Sequence, residues 1–355
     1  MNFTIEPVAV PATADDGAWR SYVALINRAY ERDSGSALLP WDPSVLLSQY
    51  AVRTHRVIDG FVALAGGELV GAASLEYDRS TARDVEFAVA TDPADAELHD
   101  ALLAHLERHA RELGRSNASA YVSSPVDIRT LSDDEILRPA SGFGGVPLAA
   151  PEVQTMLARG YSLGQVERCS VYRRTTDPSP LQARLDAASA VAGPDYEAVW
   201  WSGRTPDEYV DAYAYAISRM STDIPHGELE VDEQTWDASR VRAREARVEP
   251  TGETWAITAV VHRPTGQIVA FNELVIPPDR TQATMNYGTI ALSDHRGHRL
   301  GTIVKCLGLL RWLEFAPESP AVVTFNAEEN RYMLDVNEAV GFTPSHWEGA
   351  WSTQL

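Results

Sequence analysis

The chain repeats one plan twice, and that repetition limits the folds open to it. In the first half, Phe61 to Ala65 reads as a strand, Gly66-Gly67 as a hairpin turn and Glu68 to Leu75 as the return strand. In the second half, Thr254 to His262, Pro264-Thr265-Gly266 and Gln267 to Val275 follow the same order. The register matches, with Gly67-Glu68-Leu69-Val70 against Gly266-Gln267-Ile268-Val269. A further strand follows in each half (Val85 to Ala90, Thr284 to Leu292), then a helix (Ala96 to Leu113, Leu300 to Phe315). In the second of these helices, Ile303, Leu307, Leu310 and Leu313 recur at three-to-four spacing. Next comes a strand (Ala118 to Val122, Ala321 to Phe325), then a helix, a Gly-aromatic pair (Gly160-Tyr161, Gly341-Phe342) and a last strand. This is an internal duplication of an α+β unit.

The breakers place the boundary. Thr175-Thr176-Asp177-Pro178-Ser179-Pro180 interrupts structure, and Gly193-Pro194 interrupts it again, with a short helix from Leu181 to Val191 between them. The expected division is a first domain over residues 1–175, a linker over 176–194 and a second domain over 195–355. The second domain begins with extra helical material. Thr205-Pro206 would cap a helix reaching Met220, with Tyr209, Tyr213 and Ile217 on one face; that helix and the segment Asp232 to Arg247 form a possible substrate wall.

Composition narrows the function. The 355 residues carry a net charge of -20, which argues against nucleic acid, since phosphate binding needs a broad basic surface. A negative surface instead suits a cationic, amine-bearing small molecule. No apolar run approaches the ~18 residues of a membrane span, and the first residues carry no basic-then-apolar pattern of a signal peptide. Two cysteines, Cys169 and Cys306, read as reduced thiols of a cytoplasmic protein.

Against that acidic background one basic island stands out, Ser293-Asp294-His295-Arg296-Gly297-His298-Arg299-Leu300-Gly301-Thr302, between a strand and a helix. A helix start exposes backbone N–H groups and the positive end of the helix dipole, so it suits a phosphate; Arg296 and Arg299 add charge-assisted donors.

The order strand, hairpin, strand, basic turn, helix, strand, helix, Gly-Phe, strand resembles the GNAT superfamily of N-acetyltransferases, and the resemblance covers both halves. The family's pyrophosphate loop, [Arg/Gln]-x-x-[Gly/Ala]-x-[Gly/Ala], corresponds to Arg296-Gly297-His298-Arg299-Leu300-Gly301, with Arg299 where glycine is usual. The resemblance implies two α+β GNAT-like domains, each a mixed, mostly antiparallel sheet flanked by helices and splayed between its fourth and fifth strands. It also implies acetyl-CoA as acyl donor. The backbone of Ile290, Ala291 and Leu292 would pair with the pantetheine arm. Arg296, Gly297, His298, Arg299, Leu300, Gly301 and Thr302 would hold the pyrophosphate, and Asn326 and Asn330 would border the coenzyme. Aligned on Asp92 and Asp294, the first half has Ala94, Glu97 and His99 where the second has Arg296, Arg299 and Gly301. Glu97 would repel a pyrophosphate, so the first half is expected not to bind CoA.

Acyl transfer to an amine needs a base, a polarised thioester carbonyl and protonation of the leaving thiolate. Glu273, in a strand apolar on both faces apart from Asn272, is the first candidate base, because desolvation would raise its basicity; the alternative is a structural glutamate paired with an arginine. Tyr287, just before Gly288 where the family often has a bulge, is a second candidate; Asn286 is a weaker one. The family's usual acid is a tyrosine on the last helix, and here that position is Asn337, which can donate a hydrogen bond but not a proton. His262, His295 and His298 form no recognised metal pattern, and Cys306 has no partner for a nucleophilic role. The expected reaction is acetyl transfer to a primary amine of a small molecule in a ternary complex, by a monomer or homodimer without metal. The other reading, from a different class, is a non-catalytic acyl-CoA-binding module.

Overall fold

A computed structural model describes residues 2–53, 56–220 and 235–355. The elements of the first half are β1 (Thr4–Pro7), α1 (Gly17–Ser34), α2 (Pro43–Ala51), β2 (Arg56–Ala65), β3 (Glu68–Asp78), β4 (Asp84–Thr91), α3 (Ala96–Glu112), β5 (Asn117–Ser124), the short pair β6 (Ile136–Leu137) and β7 (Val146–Pro147), α4 (Pro151–Ala158) and β8 (Ser162–Arg173). The second half contributes α5 (Ser179–Ala192), β9 (Tyr196–Ser202), α6 (Val210–Ser218), α7 (Ala238–Val248), β10 (Thr254–His262), β11 (Gln267–Ile276), β12 (Thr284–Ala291), α8 (Leu300–Phe315), β13 (Ala321–Ala327), α9 (Arg331–Val340) and β14 (Thr343–Gln354).

The chain forms two compact units, and they do not follow the contiguous halves drawn from the sequence. The first unit comprises Met1–Arg168, Ala327–Glu329 and Ser345–Leu355; the second comprises Cys169–Asn326 and Asn330–Pro344.

In the first unit the strands lie in the order β1-β2-β3-β4-β5-β14, with the start of β8 beyond. Gly66 and Gly67, at φ 58° and 90°, form the β2–β3 turn, where positive φ is cheap only for glycine. Strands β4 and β5 run parallel and pair from Asp84↔Asn117 to Phe87↔Ala120, after which β4 continues to Thr91 paired with β3 alone. The last strand of the chain closes this sheet, pairing antiparallel with β5 from Trp347↔Ser124 to Gln354↔Asn117. Its Trp347 and Trp351 join Phe61, Leu75, Phe87 and Leu102 in one buried cluster. A buried ion pair, Arg168 with Glu328, lies beneath them, and Trp347 Nε1 donates to the same carboxylate at 2.6 Å.

The second unit repeats the plan in the order β13-β12-β11-β10-β9, with the end of β8 beside β13. The segment expected as a linker is the packed helix α5, whose Leu181, Ala188 and Ala192 are buried against the second unit's core. The front helix is shorter than the periodicity suggests. It starts at Val210, after a turn in which the Tyr209 N–H bonds to Pro206 O at 2.9 Å; the Thr205 N–H bonds to Glu245 Oε1 at 2.8 Å. Of the expected wall segment, Asp232 to Gln234 lie outside the described residues, and the rest forms α7 with its run-in. Helix α8 is apolar nearly all round, as a helix covered on every side must be. No helix among the described residues is long and apolar enough to cross a membrane.

Candidate functional site

Two features of the second unit create an opening. Strands β12 and β13 run parallel and pair only from Thr284↔Val322 to Asn286↔Thr324. Beyond Asn286, β12 stays paired on its other edge, with Ile290 opposite Phe271 and Ala291 opposite Ala270, while its β13 edge is left without a strand. Backbone groups on that edge need a partner. The stretch expected to meet a pantetheine arm therefore lies along an open strand edge.

The second feature is the turn that follows. Arg296, Gly297 and Arg299 are exposed. Gly297 and Arg299 adopt positive φ, 89° and 60°, and Arg299 is the sole non-glycine residue to do so among those described. A left-handed residue with a Cβ costs about 1–2 kcal/mol, so strain is concentrated here. Backbone conformations of this kind are those from which anion-binding nests of N–H groups are built. No side chain caps α8. Leu300 points into the core, so only its backbone can serve a ligand, while Gly301 and Thr302 are buried at the helix start. The hydroxyl of Tyr332, on α9, comes within 3.7 Å of where a Gly301 Cβ would stand. The histidines of this region hold the turn to the sheet. His295 Nδ1 is 3.0 Å from the Tyr196 hydroxyl, and His298 packs on the Tyr196 ring at 4.9 Å. Burial and the neighbouring His262 charge keep His295 below the usual imidazole range. No cluster of metal-ligating side chains occurs among the described residues.

The first unit's counterpart is closed. Asp95 caps α3, accepting from Leu98 N at 3.0 Å, and its own N–H bonds to Thr91 Oγ1 at 3.3 Å. One N–H at this helix start, that of Leu98, is thus taken by a carboxylate of the chain itself.

Glu273 is 4% exposed, as strand alternation suggests, but it is not an isolated carboxylate. Its Oε1 accepts from Arg244 Nη1 at 3.0 Å and from the Tyr213 hydroxyl, and Arg244 Nη2 donates to the same hydroxyl at 2.8 Å. Glu273 is thus paired with Arg244, as the structural alternative had it, rather than standing alone among apolar neighbours. The phenol of Tyr213 is fully buried, and burial pushes it well above the usual tyrosine range. The β11–β12 register shifts between Asn272 and Leu274, so Tyr287 and Gly288 together oppose Glu273. This is the bulge expected at Gly288. Glu273 Oε2 faces Gly288; a Cβ there would lie 2.7 Å from it. Tyr287 itself points outward, 64% exposed, with its ring against Trp255.

Behind Tyr213 and Arg244 lies a cavity of about 500 Å³, lined also by Thr205, Glu249, Glu253 and Trp255. It places a mixed-charge, aromatic wall next to Glu273.

The asparagines divide. Asn330 Oδ1 caps α9 by accepting from Met333 N at 3.3 Å. Asn337 is buried, its Nδ2 donating to Asn326 Oδ1 at 2.7 Å, while its own Oδ1 has no hydrogen-bond partner. Tyr213 and the segment holding Arg244 were read only as a substrate wall, not as partners of Glu273, and Lys305 was not singled out. The first two meet Glu273 only through long-range packing; Lys305, discussed below, is a charge on the apolar helix.

No family model and no curated protein matches the chain. Solved structures do. A tandem GNAT protein from the clavulanic acid biosynthesis pathway, solved without AcCoA, superposes with a TM-score of 0.73 at 22% identity, covering 99% of this chain and 98% of its own. A GCN5-related N-acetyltransferase from Sphaerobacter thermophilus gives 0.61 at 13% identity, with 99% and 95% covered. The glucosamine N-acetyltransferase region of a fungal multi-domain β-N-acetylglucosaminidase gives 0.57 at 11%, with 100% of this chain and 38% of that one covered. The fold is that of a tandem GNAT protein, α+β with two GNAT-like units.

Proposed function

We propose that the second unit transfers an acetyl group from acetyl-CoA to the primary amine of a small molecule, and that the first unit binds no coenzyme. The observation that carries this is the coincidence of an open β12 edge with an exposed, left-handed, uncapped turn at the head of α8. An anionic diphosphate fits the turn, and an amide-bearing arm fits the strand edge. The amine would enter the cavity beside Tyr213 and Arg244, with Glu273 receiving its proton, directly at Oε2 or through the Tyr213 hydroxyl. The acidic chain favours a cationic acceptor. Asn337 lends no proton to a leaving sulfur, which is the point in favour of the second reading, a binding module that does not turn over.

Titration of the full chain with acetyl-CoA, followed by thiol release on a panel of small amines, separates the readings. Arg296→Ala should weaken coenzyme binding. Glu273→Gln should lower turnover and leave coenzyme affinity nearly unchanged. Binding without turnover on every amine would support the module, and no binding would remove both readings.

A further inference from the structure

Lys305 lies in the second turn of α8 and is 1% exposed, one of the largest wholly buried side chains among the described residues. An ammonium carries three donors, and burying it without partners is costly. Among the described residues its Nζ makes one hydrogen bond, to Asn286 Oδ1 at 2.8 Å, and lies 5.3 Å from the centre of the Phe342 ring. Burial brings its pKa down to about 7. Titratable groups on the elements packed against this helix include Arg184 on α5, Glu197 on β9, His262 on β10, Glu273 on β11 and Asp335 on α9. None of them contributes to that shift.

The position matters more than the burial. Asn286 is the last β12 residue still paired with β13, so Lys305 is tethered at the vertex where the strands part. A chain of side chains runs on from it: Asn286 Nδ2 donates to Thr289 Oγ1 at 3.3 Å, and Thr289 Oγ1 donates to Asn272 Oδ1 at 2.7 Å. From Asn286 to Leu292 the chain advances six residues, about 20 Å at ~3.3 Å per residue. An extended pantetheine arm of about that length, with its diphosphate in the turn, would bring its sulfur near the vertex. Asn337, where an acid is usual, supplies none.

We propose that Lys305 is the proton donor to the departing sulfur, an inference that rests on the coenzyme-binding reading above. The acceptor reacts as the free amine, its ammonium proton already released to solvent; its lone pair forms the new N–C bond, and the C–S electron pair leaves with the sulfur. Nζ gives the sulfur one proton, and the surplus amine proton passes to Glu273. Lys305 ends neutral and Glu273 protonated, and solvent exchange restores both.

The test uses the full chain with free CoA as probe. In the parent, thiolate absorbance of bound CoA should show ionisation at least tenfold more favourable than in free CoA, and Lys305→Met should abolish that gain. Lys305→Met should also cut acetyl transfer by about 10²–10⁴-fold, with CoA affinity within threefold of the parent. The variant is expected to fold, since it removes a buried amine from an apolar site. Should it not, side-chain ¹⁵N NMR of the parent decides: CoA should shift the Nζ titration and desulfo-CoA should not, by linkage. Equal thiol ionisation in parent and variant, or equal Nζ shifts with both ligands, would overturn the assignment while the coenzyme reading stands. If the parent binds no CoA, the coenzyme reading falls first and Lys305 with it.

Discussion

Replacing Gly288 by alanine tests the arrangement around Glu273 without touching a polar group. The new Cβ would stand 2.7 Å from Glu273 Oε2 and 3.3 Å from both Met220 Sδ and Cε. Real Cβ atoms do not come that close, so the carboxylate must shift, and its Oε1 bonds to Arg244 and Tyr213 must lengthen. Overpacking costs about 1–3 kcal/mol, and weakening a charge-assisted hydrogen bond about 1.5–3 kcal/mol. A loss of about 2.5–6 kcal/mol corresponds, at ~2–4 °C per kcal/mol for a unit of this size, to a midpoint lowered on the order of 5–24 °C. Scanning calorimetry reads the midpoint, and thiol release on the best amine reads turnover, which should fall at least tenfold with acetyl-CoA affinity unchanged. A cycle with Glu273→Ala isolates the cause: without the carboxylate, the second alanine should cost far less, giving a coupling above about 1 kcal/mol. A Gly288→Ala protein that melts within a degree or so of the parent and turns over at its rate would refute the reasoning, and so would additivity in the cycle.

Other substitutions probe the remaining features. Arg299→Gly relieves the left-handed strain and Arg299→Ala keeps it, so the glycine variant should be the more stable by about 1 kcal/mol, as urea melts would show; both should bind acetyl-CoA more weakly than the parent, by a margin that shrinks with salt. Asp95→Ala removes the cap on α3 and should cost about 0.5–2 kcal/mol in the same melts, with coenzyme affinity unaltered. In the first unit, burial together with the charges of Glu348 and Glu86 raises the Glu167 carboxyl to about 7. Its folded-state proton stabilises the protein at acid pH, and that contribution is lost as pH rises through about 7. Glu167→Gln should therefore gain in thermal midpoint over the parent between about pH 5 and about pH 8, and a constant difference would contradict the shift.

Periodicity was the reliable guide. The hairpins, the paired strands β4–β5 and β12–β13, and the bounds of α8 all follow from alternation and three-to-four spacing. The turn at Arg296 to Gly301 was legible because glycine and arginine stand out against an acidic chain; that Arg299 would itself adopt positive φ was not, since side-chain identity alone argues against it. Glu273 was found as a charge in an apolar strand. Its partners Tyr213 and Arg244 lie 60 and 29 residues away in sequence, beyond any local pattern. Lys305 was hidden for the opposite reason: a lone lysine in a helix is ordinarily its solvent side, and only packing on every face of α8 reveals it as interior. The start of α6 was misplaced because Thr205-Pro206 has the chemistry of a helix start, yet a single turn closed by Pro206 O and the Tyr209 N–H comes before the helix.

The closing strand of the first unit comes from the far end of the polypeptide. On the ribosome, β5 emerges well before the residues that cover its outer edge and carry the tryptophans of the core beneath. Until then that edge presents unpaired amides and carbonyls to any other nascent chain, the situation that chaperones exist to shield. The first half therefore cannot be excised as a free-standing module. A stop codon just short of Ser345 would leave unfinished the half of the protein that was made first.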